Sequence, residues 1–245
     1  MDLAANERID ELRRDGTKII QSPDVFAFSL DAVLLADFAR VRRQDQVVDL
    51  AAGNGAVGLF VAGRVPGVHV TMVELQPQLA AMARRSVALN HFDDRVRVVE
   101  GDLAKTWDHV AKDSVDVVMC NPPYFKVQPG SVQNPNTALA LARHELTTDF
   151  ATVARITAGL LKTGGKAFFV HRPDRLVELL STLADADLAP KRIRFVHPKA
   201  GKEANMVLIE AIRTGRPDGV RIMPPFVVYG EDGQYTPEMA AIFND

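Results

Sequence analysis

Residues 47–58, VVDLAAGNGAVG, decide the fold because they join a buried strand to a helix through a short glycine turn. The run VVDL has the composition of a strand, and the stretch that begins at Ala56 has that of a helix. Gly53 and Gly55 permit the tight backbone that such a turn requires. A strand, a glycine turn and a helix in this order predict the first unit of a parallel α/β sheet.

The same alternation continues along the chain. Short β-branched runs predict seven strands, at residues 46–51, 69–75, 96–102, 115–121, 166–172, 192–198 and 205–213. Helical patterns predict the helices between them, at residues 56–65, 77–90, 103–111, 149–161 and 174–186. Strands separated by helix-length segments indicate a doubly wound parallel sheet. Only residues 199–204 separate the last two strands, so this pair is expected to be antiparallel.

Three segments lie outside this alternation. Residues 1–45 form an N-terminal extension with a charged, helix-like start and a predicted helix near residues 24–40. Residues 125–145 form a Pro-, Asn- and Gly-rich insertion after a strand end, where open α/β sheets place their ligands. Residues 214–245 predict a hairpin and a short helix. The whole chain, 1–245, is therefore interpreted as one domain with its core at residues 46–213.

The composition excludes several classes of protein. The 245 residues are 47% hydrophobic and 24% charged, as in an ordinary globular domain. A net charge of −2 excludes a uniformly basic nucleic-acid binder but permits local basic patches. The single cysteine, Cys120, permits no internal disulfide, and no apolar run approaches membrane-spanning length. The start of the chain has no apolar signal region, so a cytoplasmic protein is expected.

Acidic residues at three successive strand ends indicate the ligand of the glycine turn. Residues 53–58 fit G-x-G-x-x-G, and Glu74 lies at the distance of about 20 residues that a dinucleotide site requires. Glu74 can accept hydrogen bonds from both hydroxyls of a ribose. Asp49 would repel a pyrophosphate and can hold a cationic ligand instead. Asp102 stands where an adenine amino group would lie, so the trio favours S-adenosylmethionine (SAM) over a dinucleotide.

The stretch CNPPYF, residues 120–125, ends the fourth predicted strand. Neither Pro122 nor Pro123 can donate a hydrogen bond to the sheet, so the strand stops there. Asn121 Oδ1 and the Pro122 carbonyl can each accept one N–H of a ring-conjugated amine and aim its lone pair at a SAM methyl group. Tyr124 offers a ring on which a base can stack. Asn121, Pro122, Pro123 and Tyr124 are the predicted catalytic residues, and no metal is expected.

NPPY resembles the [DNS]-P-P-[YFW] motif of amino-methyltransferases, and the chain from about Ile19 to Ile242 resembles the bacterial tRNA adenine-N6 methyltransferase family. The resemblance lies in FAFSLDAVLLADFA, VVDLAAGNGAVGL, VELQP, NPPYF, ARHE, LLKTGGKAFFVHRPDRL and GQYTPEM. It implies a Rossmann-like, seven-stranded class I SAM-dependent methyltransferase with an antiparallel last strand. It also implies N6-methylation of a tRNA adenine, since the family is known for modifying adenine 37 of valine tRNA.

Carried over by position, the resemblance implies a set of cofactor-binding residues. They are Ser29, Asp31, Asp49, Gly53, Asn54, Gly55, Glu74, Leu75, Asp102, Leu103 and Asn121. Ser29 and Asp31 would flank the methionine end of SAM. Glu74 would hold the ribose, and Asp102 with Leu103 the adenine. One position departs from the family pattern, since Ala51 replaces a glycine and its methyl group is expected to crowd SAM slightly.

Basic residues favour RNA over protein as the substrate. Residues 190–221 contain eight Lys or Arg against three acids, residues 126–144 contain no acid, and RVRR at 40–43 adds a further cluster. The candidate RNA-binding residues are Lys126, Arg143, Lys191, Arg192, Arg194, Lys199 and Lys202. Such residues would contact phosphates. A tRNA loop base would be splayed out and stacked, as is usual in RNA recognition.

The residues by themselves are also compatible with other functions. The same chemistry on a ribosomal RNA adenine or guanine, or on a protein glutamine amide, is one alternative, although such relatives tend to carry an additional recognition domain. An NAD-dependent oxidoreductase would use G-x-G-x-x-G but has no use for NPPY. A non-catalytic SAM- or RNA-binding module is disfavoured by the intact Asn121. A monomer is expected.

Overall fold

The computed structural model describes residues 3–12, 16–23, 25, 30–122 and 149–244. They form a large central sheet with helices on both faces and a small two-stranded sheet near the amino terminus. No helix in these ranges is long and apolar enough to cross a bilayer. The open α/β sheet predicted from the sequence is confirmed.

The strands of the central sheet follow the predicted runs. They are β3 Gln46–Leu50, β4 His69–Glu74, β5 Val96–Glu100, β6 Val115–Cys120, β7 Leu161–His171, β8 Leu188–Lys199, β9 Met206–Arg213, β10 Arg221–Ile222 and β11 Phe226–Tyr229. Their order is β10-β8-β9-β7-β6-β3-β4-β5, and β11 also pairs with β8. Strand β9 runs antiparallel to both β7 and β8, and the other pairs are parallel.

The helices cover both faces of this sheet. They are α1 Leu30–Phe38, α2 Ala56–Arg64, α3 Pro77–Leu89, α4 Phe150–Leu160, α5 Leu176–Asp185 and α6 Pro237–Asn244, with 3-10 turns at Leu103–Asp108 and Pro173–Arg175. One hydrophobic cluster joins the sheet to α1, α2 and α3, and a second joins it to α4 and α5. The adjacent residues Phe168 and Phe169 of β7 enter opposite clusters, because successive side chains of a strand point to opposite faces.

The amino-terminal segment differs from the expectation. The helix expected at the start of the chain is instead strand β1, Arg8–Glu11, which pairs antiparallel with β2, Lys18–Gln21. Strand β2 packs on α3, where the Ile20 amide donates to Ser86 Oγ at 3.0 Å. Ile20 is also fully buried in a small cluster with residues of α3. The tertiary contacts of β2 thus favour a strand in this segment, where the local charge pattern indicated a helix.

Two further differences lie beyond the predicted strands. The segment expected to be helical at 103–111 is a 3-10 helix of six residues, Leu103–Asp108. The sheet also gains β10 and β11, so that the described chain has nine central strands where seven were predicted. The chain does turn back near Asp232, with an antiparallel bridge between Tyr229 and Tyr235, but β11 itself pairs in parallel with β8.

Candidate functional site

The carboxyl ends of the central strands bring the predicted residues to one edge of the sheet. Leu50 of β3 is in register with Val73 of β4 on one side and with Cys120 of β6 on the other. Glu74, at the end of β4, is in register with Glu100 of β5. The segments that follow these four strands therefore lie side by side, as expected for parallel strands.

The turn after β3 has the backbone that the glycines were expected to permit. Gly53 has φ +60° and Gly55 has φ +91°, both in the left-handed region. At Gly55 a Cβ atom would lie 3.0 Å from Met72 Sδ, so a side chain there would also be crowded. Ala51 has φ +56°, a conformation that an alanine rarely adopts. This explains in physical terms why glycine suits that position.

Glu74 is fixed directly against the turn. Its side chain is buried, Oε2 accepts a hydrogen bond from the Gly53 amide at 2.8 Å, and Oε1 accepts one from the Gln76 amide at 2.8 Å. The Gly101 amide donates to the Glu74 carbonyl at 2.9 Å, which joins the end of β5 to the end of β4. The carboxylate is therefore held at the sheet edge by backbone groups, next to Leu75.

Asp49 lies deeper than the other acids of the site. It is 1% exposed, and Oδ2 accepts a hydrogen bond from the Gly58 amide at 3.0 Å. Burial raises the pKa of Asp49 to about 8, and the nearby charge of Glu74 also raises it. The carboxyl is thus mostly protonated near pH 7. The charge argument for SAM over a dinucleotide therefore rests more on Glu74 and Asp102 than on Asp49.

Asp102 begins the 3-10 helix after β5. Its Oδ1 accepts a hydrogen bond from the Ala104 amide at 2.8 Å, which is the usual geometry of an N-cap. Leu103 is buried beside it in the hydrophobic cluster that α4 and α5 share with the sheet. The carboxylate and this apolar side chain are thereby placed next to each other at the sheet edge.

Two predicted cofactor residues of the N-terminal half have other contacts in the structure. The amide of Asn54 is buried and Nδ2 donates to the Ile20 carbonyl at 3.0 Å, which ties β2 to the glycine turn. Asp31 is buried in the first turn of α1, where Oδ1 accepts from the Ala32 amide at 2.8 Å. Ser29 lies outside the described residues.

Asn121 and Pro122 follow β6, the strand beside β3. Asn121 is partly buried and Pro122 is buried. Cys120 before them is fully buried, and burial together with Asp49 raises the pKa of its thiol well above the ordinary value. The Cys120 thiol is therefore protonated, and the side chain serves only to pack the core. Pro123 and Tyr124 lie outside the described residues.

His171 was not among the predicted site residues. It ends β7, the strand on the other side of β6, and is 1% exposed. Its Nδ1 accepts a hydrogen bond from the Arg172 amide at 2.8 Å, and its ring meets Phe150 edge-on. Burial, together with the charge of Arg175, lowers the pKa of His171 to about 4, so the ring is neutral near pH 7.

The predicted RNA-binding residues are not equivalent. Arg192 is buried and forms a 2.7 Å ion pair with Glu210, so its guanidinium group is engaged within the fold. Arg194 pairs with Glu238 at 2.6 Å, and Lys191 Nζ donates to the Asp218 carbonyl at 2.6 Å. Exposed side chains remain at Lys199 and Lys202. Lys126 and Arg143 lie outside the described residues.

The residues around the glycine turn fit SAM. No described atom lies within 4 Å of the position that a Cβ atom on Gly53 would occupy, so none of the described residues fills the space beside this glycine. Glu74 and Asp102 are hydrogen-bond acceptors at that edge, which suits the hydroxyl and amino groups of an adenosine. Their negative charge also suits a ligand that carries a sulfonium better than one that carries a pyrophosphate.

Comparison with known proteins gives the family. The family model of the methyltransferase small domain matches residues 16–174. The tRNA1(Val) (adenine(37)-N6)-methyltransferase of Aeromonas hydrophila is 32% identical over 207 residues, which cover 84% of this chain and 84% of the relative.

Solved structures show the same fold. A predicted O-methyltransferase from Agrobacterium tumefaciens superposes with a TM-score of 0.71 and 25% identity, over 87% of this chain and 95% of that one. A geranyl diphosphate methyltransferase in complex with SAM matches with a TM-score of 0.55 and 19% identity, over 74% of this chain and 84% of that one. The sheet, the edge residues and these similarities lead to one assignment: the chain belongs to the methyltransferase small-domain family and, within it, to the tRNA1(Val) (adenine(37)-N6)-methyltransferases.

Proposed function

We propose that the protein is a SAM-dependent methyltransferase that acts on the N6 amine of an adenine in tRNA. The observation that carries the proposal is the pairing of β6 with β3, since Cys120 is in register with Leu50. That pairing brings Asn121 and Pro122 beside the glycine turn, whose Gly53 amide donates a hydrogen bond to Glu74. Family membership with the Aeromonas relative supports the substrate class.

The cofactor is assigned to the carboxylates and glycines of the sheet edge. Glu74, already oriented by the Gly53 and Gln76 amides, would accept hydrogen bonds from the ribose. Asp102 would accept a hydrogen bond from the amino group of the adenine, and the buried Leu103 would pack against the adenine ring. When bound, SAM supplies a methyl group already activated by its sulfonium.

Asn121 and Pro122 prepare the target amine. The lone pair of an exocyclic amine is delocalised into the base, so the nitrogen is a poor nucleophile. Asn121 Oδ1 and the Pro122 carbonyl accept its two N–H groups, which favours a tetrahedral nitrogen whose lone pair points to the methyl. The nitrogen would gain the methyl carbon as the carbon–sulfur bond of the bound SAM breaks and its sulfur leaves as a neutral thioether, and one N–H proton would then pass to solvent. No strong general base is needed, because the methylated ammonium is acidic.

Finer features are part of the same proposal. Adenine 37 of a valine tRNA is the proposed target, Pro123 and Tyr124 complete the reacting group, and Tyr124 stacks on the base. Ser29, Asp31, Asn54, Gly55 and Leu75 complete the proposed cofactor site. Lys199 and Lys202, exposed near the same sheet edge, would contact nearby phosphates together with Lys126 and Arg143. The protein is proposed to work as a single-domain monomer in the cytoplasm.

The decisive experiment treats tRNA with enzyme and isotopically labelled SAM and identifies the labelled nucleoside by mass spectrometry. We expect labelled N6-methyladenosine from the wild-type protein. Asn121→Ala should lose most of this product while SAM affinity, measured by calorimetry, stays nearly constant. Asn121→Asp should keep part of the turnover, since a carboxylate oxygen also accepts an N–H.

Asn205→Ala serves as the matched control, because Asn205 is an exposed asparagine in the turn between β8 and β9. It should retain full activity. Undiminished turnover in Asn121→Ala would refute the role given to that amide. A labelled protein glutamine or guanine in place of adenine would refute the substrate, and heat released on titration with NAD but not with SAM would refute the cofactor.

A further inference from the structure

Four arginine side chains meet on the face of the sheet that carries α1. Arg192 and Arg194 are two residues apart on β8 and therefore point to the same face. Arg221 of β10 is the register partner of Arg192, so its side chain lies on that face as well. Arg40 follows the end of α1 by two residues, and Arg192 Nη2 donates to the carbonyl of Phe38 at 3.1 Å. These four residues are called the arginine surface below.

Two of the four are neutralised within the fold. The guanidinium of Arg192 lies 4.3 Å from the centre of the Phe38 ring and forms its ion pair with Glu210. Arg194 forms its ion pair with Glu238 and lies 4.8 Å from the centre of the Phe226 ring. Both side chains therefore hold secondary-structure elements together, and neither is available for a ligand.

Arg40 and Arg221 are different. Both are exposed, and among the described residues neither has a carboxylate within ion-pair distance. The acidic side chain nearest to Arg40 on α1 is Asp37, and it is 3.6 Å from Arg64 instead. Asp218, close to Arg221 in sequence, is exposed. The arginine surface thus keeps two unneutralised cations in a chain whose net charge is −2.

These cations repel the arginine beneath them. Burial lowers the pKa of Arg192, the charge of Glu210 raises it, and the charges of Arg40, Arg221 and Arg194 lower it. Like charges brought together in this way favour a bound anion, which would relieve the repulsion. Guanidinium groups match the geometry of phosphate oxygens, and a row of them suits a polyanion better than a single small ion.

The arginine surface lies to one side of the reacting edge. Through the register of β8, β9, β7 and β6, Arg192 is level with Met119, two residues before Asn121. Strand β10, which carries Arg221, is four positions from β6 in the sheet, about 19 Å at about 4.8 Å per strand. An RNA that contacts both Asn121 and Arg221 must therefore extend several nucleotides beyond the target base.

We propose that Arg40 and Arg221 bind backbone phosphates of the tRNA substrate several nucleotides away from the target adenine. This inference rests on the proposed function and adds a second contact region to it. The surface acts on affinity and leaves the chemical step unchanged. Of the basic residues in 190–221 it uses Arg221 and not the buried Arg192.

The test measures the dissociation constant of full-length tRNA as a function of salt concentration for the wild type, Arg40→Ala, Arg221→Ala and the double variant. Each arginine that contacts a phosphate should reduce the slope of log K against log salt by about 1, and the double variant by about 2. The KM for tRNA should rise, whereas kcat at saturating tRNA and the SAM affinity should not change.

Lys162→Ala is the matched control, because it removes one exposed cation that Asp116 already neutralises at 2.7 Å. Its slope should equal that of the wild type. If Arg40→Ala and Arg221→Ala also leave the slope unchanged, or if they change it no more than Lys162→Ala does, the inference is wrong. Failure of the proposed function is a separate result, since the wild-type protein would then place no label on tRNA at all.

Discussion

At the scale of the single residue, Asp49 shows how burial changes the role of a carboxyl group. It lies in β3 under the glycine turn and accepts the Gly58 amide, yet it is almost completely removed from water. A buried carboxylate is costly unless it is paired, so protonation is favoured instead. A cation placed beside Asp49 would reverse this preference. The protonation of Asp49 is therefore expected to depend on pH and on the charge of its neighbours.

Asp49 predicts a specific pH dependence of stability. The ordinary pKa of 3.8 is raised to about 8 in the folded protein, so between these values the unfolded chain has lost a proton that the folded chain retains. The free energy of unfolding must therefore fall as pH rises through this window. Asp49→Asn cannot titrate but can still accept the Gly58 amide. We expect its stability to fall less than that of the wild type between pH 5 and pH 8.

Urea unfolding at pH 5, 6, 7 and 8 measures this difference. The free energies of unfolding of the two proteins should be most alike at pH 5. At each higher pH the variant should become more stable relative to the wild type. Parallel stability curves for the two proteins would show that Asp49 is ionised in the folded state throughout.

Residue types and spacing could predict much of the site. Glu74, Asp102 and Asn121 each lie at the end of a predicted strand, and parallel strands bring such residues to one edge. The side-chain partners could not be predicted, because Asn54 bonds to Ile20 and Arg192 to Phe38, which are distant in sequence. The burial of Arg192 was missed for this reason, since a basic residue in isolation is expected to be exposed.

At the scale of the element, the hairpin of β1 and β2 is a support for the glycine turn. Both backbone groups of Ile20 are used, since the amide donates to Ser86 Oγ of α3 and the carbonyl accepts from Asn54 Nδ2. Asn90 Oδ1 accepts the Lys18 amide at 2.7 Å, so β2 is bonded to α3 at two positions. The charged sequence of β1 by itself is typical of a helix. The strand could not be predicted because these partners are not evident from the sequence.

Asn54→Ala tests this support. The variant leaves the buried Ile20 carbonyl without its donor, which typically costs about 1–3 kcal/mol. We expect the free energy of unfolding to fall by that amount and amide hydrogen exchange to quicken in β2 and in the turn. Asn205→Ala, at an exposed site, should change neither quantity. Unaltered exchange in β2 would mean that the hairpin does not depend on Asn54.

At the scale of the whole molecule, Arg192 connects parts of the chain that are 154 residues apart. It joins the end of α1 to β8, and its partner Glu210 lies on β9, with Lys166 of β7 3.9 Å from the same carboxylate. The side chains of Arg192 and Glu210 are only 9% and 5% exposed. The first helix and the last long strands are therefore expected to unfold together, as one domain.

Glu210→Gln tests that coupling. Removing the charge of Glu210 leaves the buried charge of Arg192 uncompensated, which typically lowers the free energy of unfolding by about 3–5 kcal/mol. We expect a lower urea midpoint and still a single transition, seen alike by fluorescence and by circular dichroism. A second variant, Arg192→Met with Glu210→Met, should recover part of the loss, because neither charge then remains. Two separate transitions in the wild-type protein would contradict the single-domain interpretation.

The position of β9 has a consequence for synthesis on the ribosome. Strand β9 lies between β7 and β8, although it is made after both of them. A nascent chain that has grown only as far as Lys199 therefore exposes an edge of β7 whose neighbour does not yet exist. The sheet is completed late in translation, by insertion of a strand and not by addition at an outer edge, and until then that edge is open to chaperones and to aggregation.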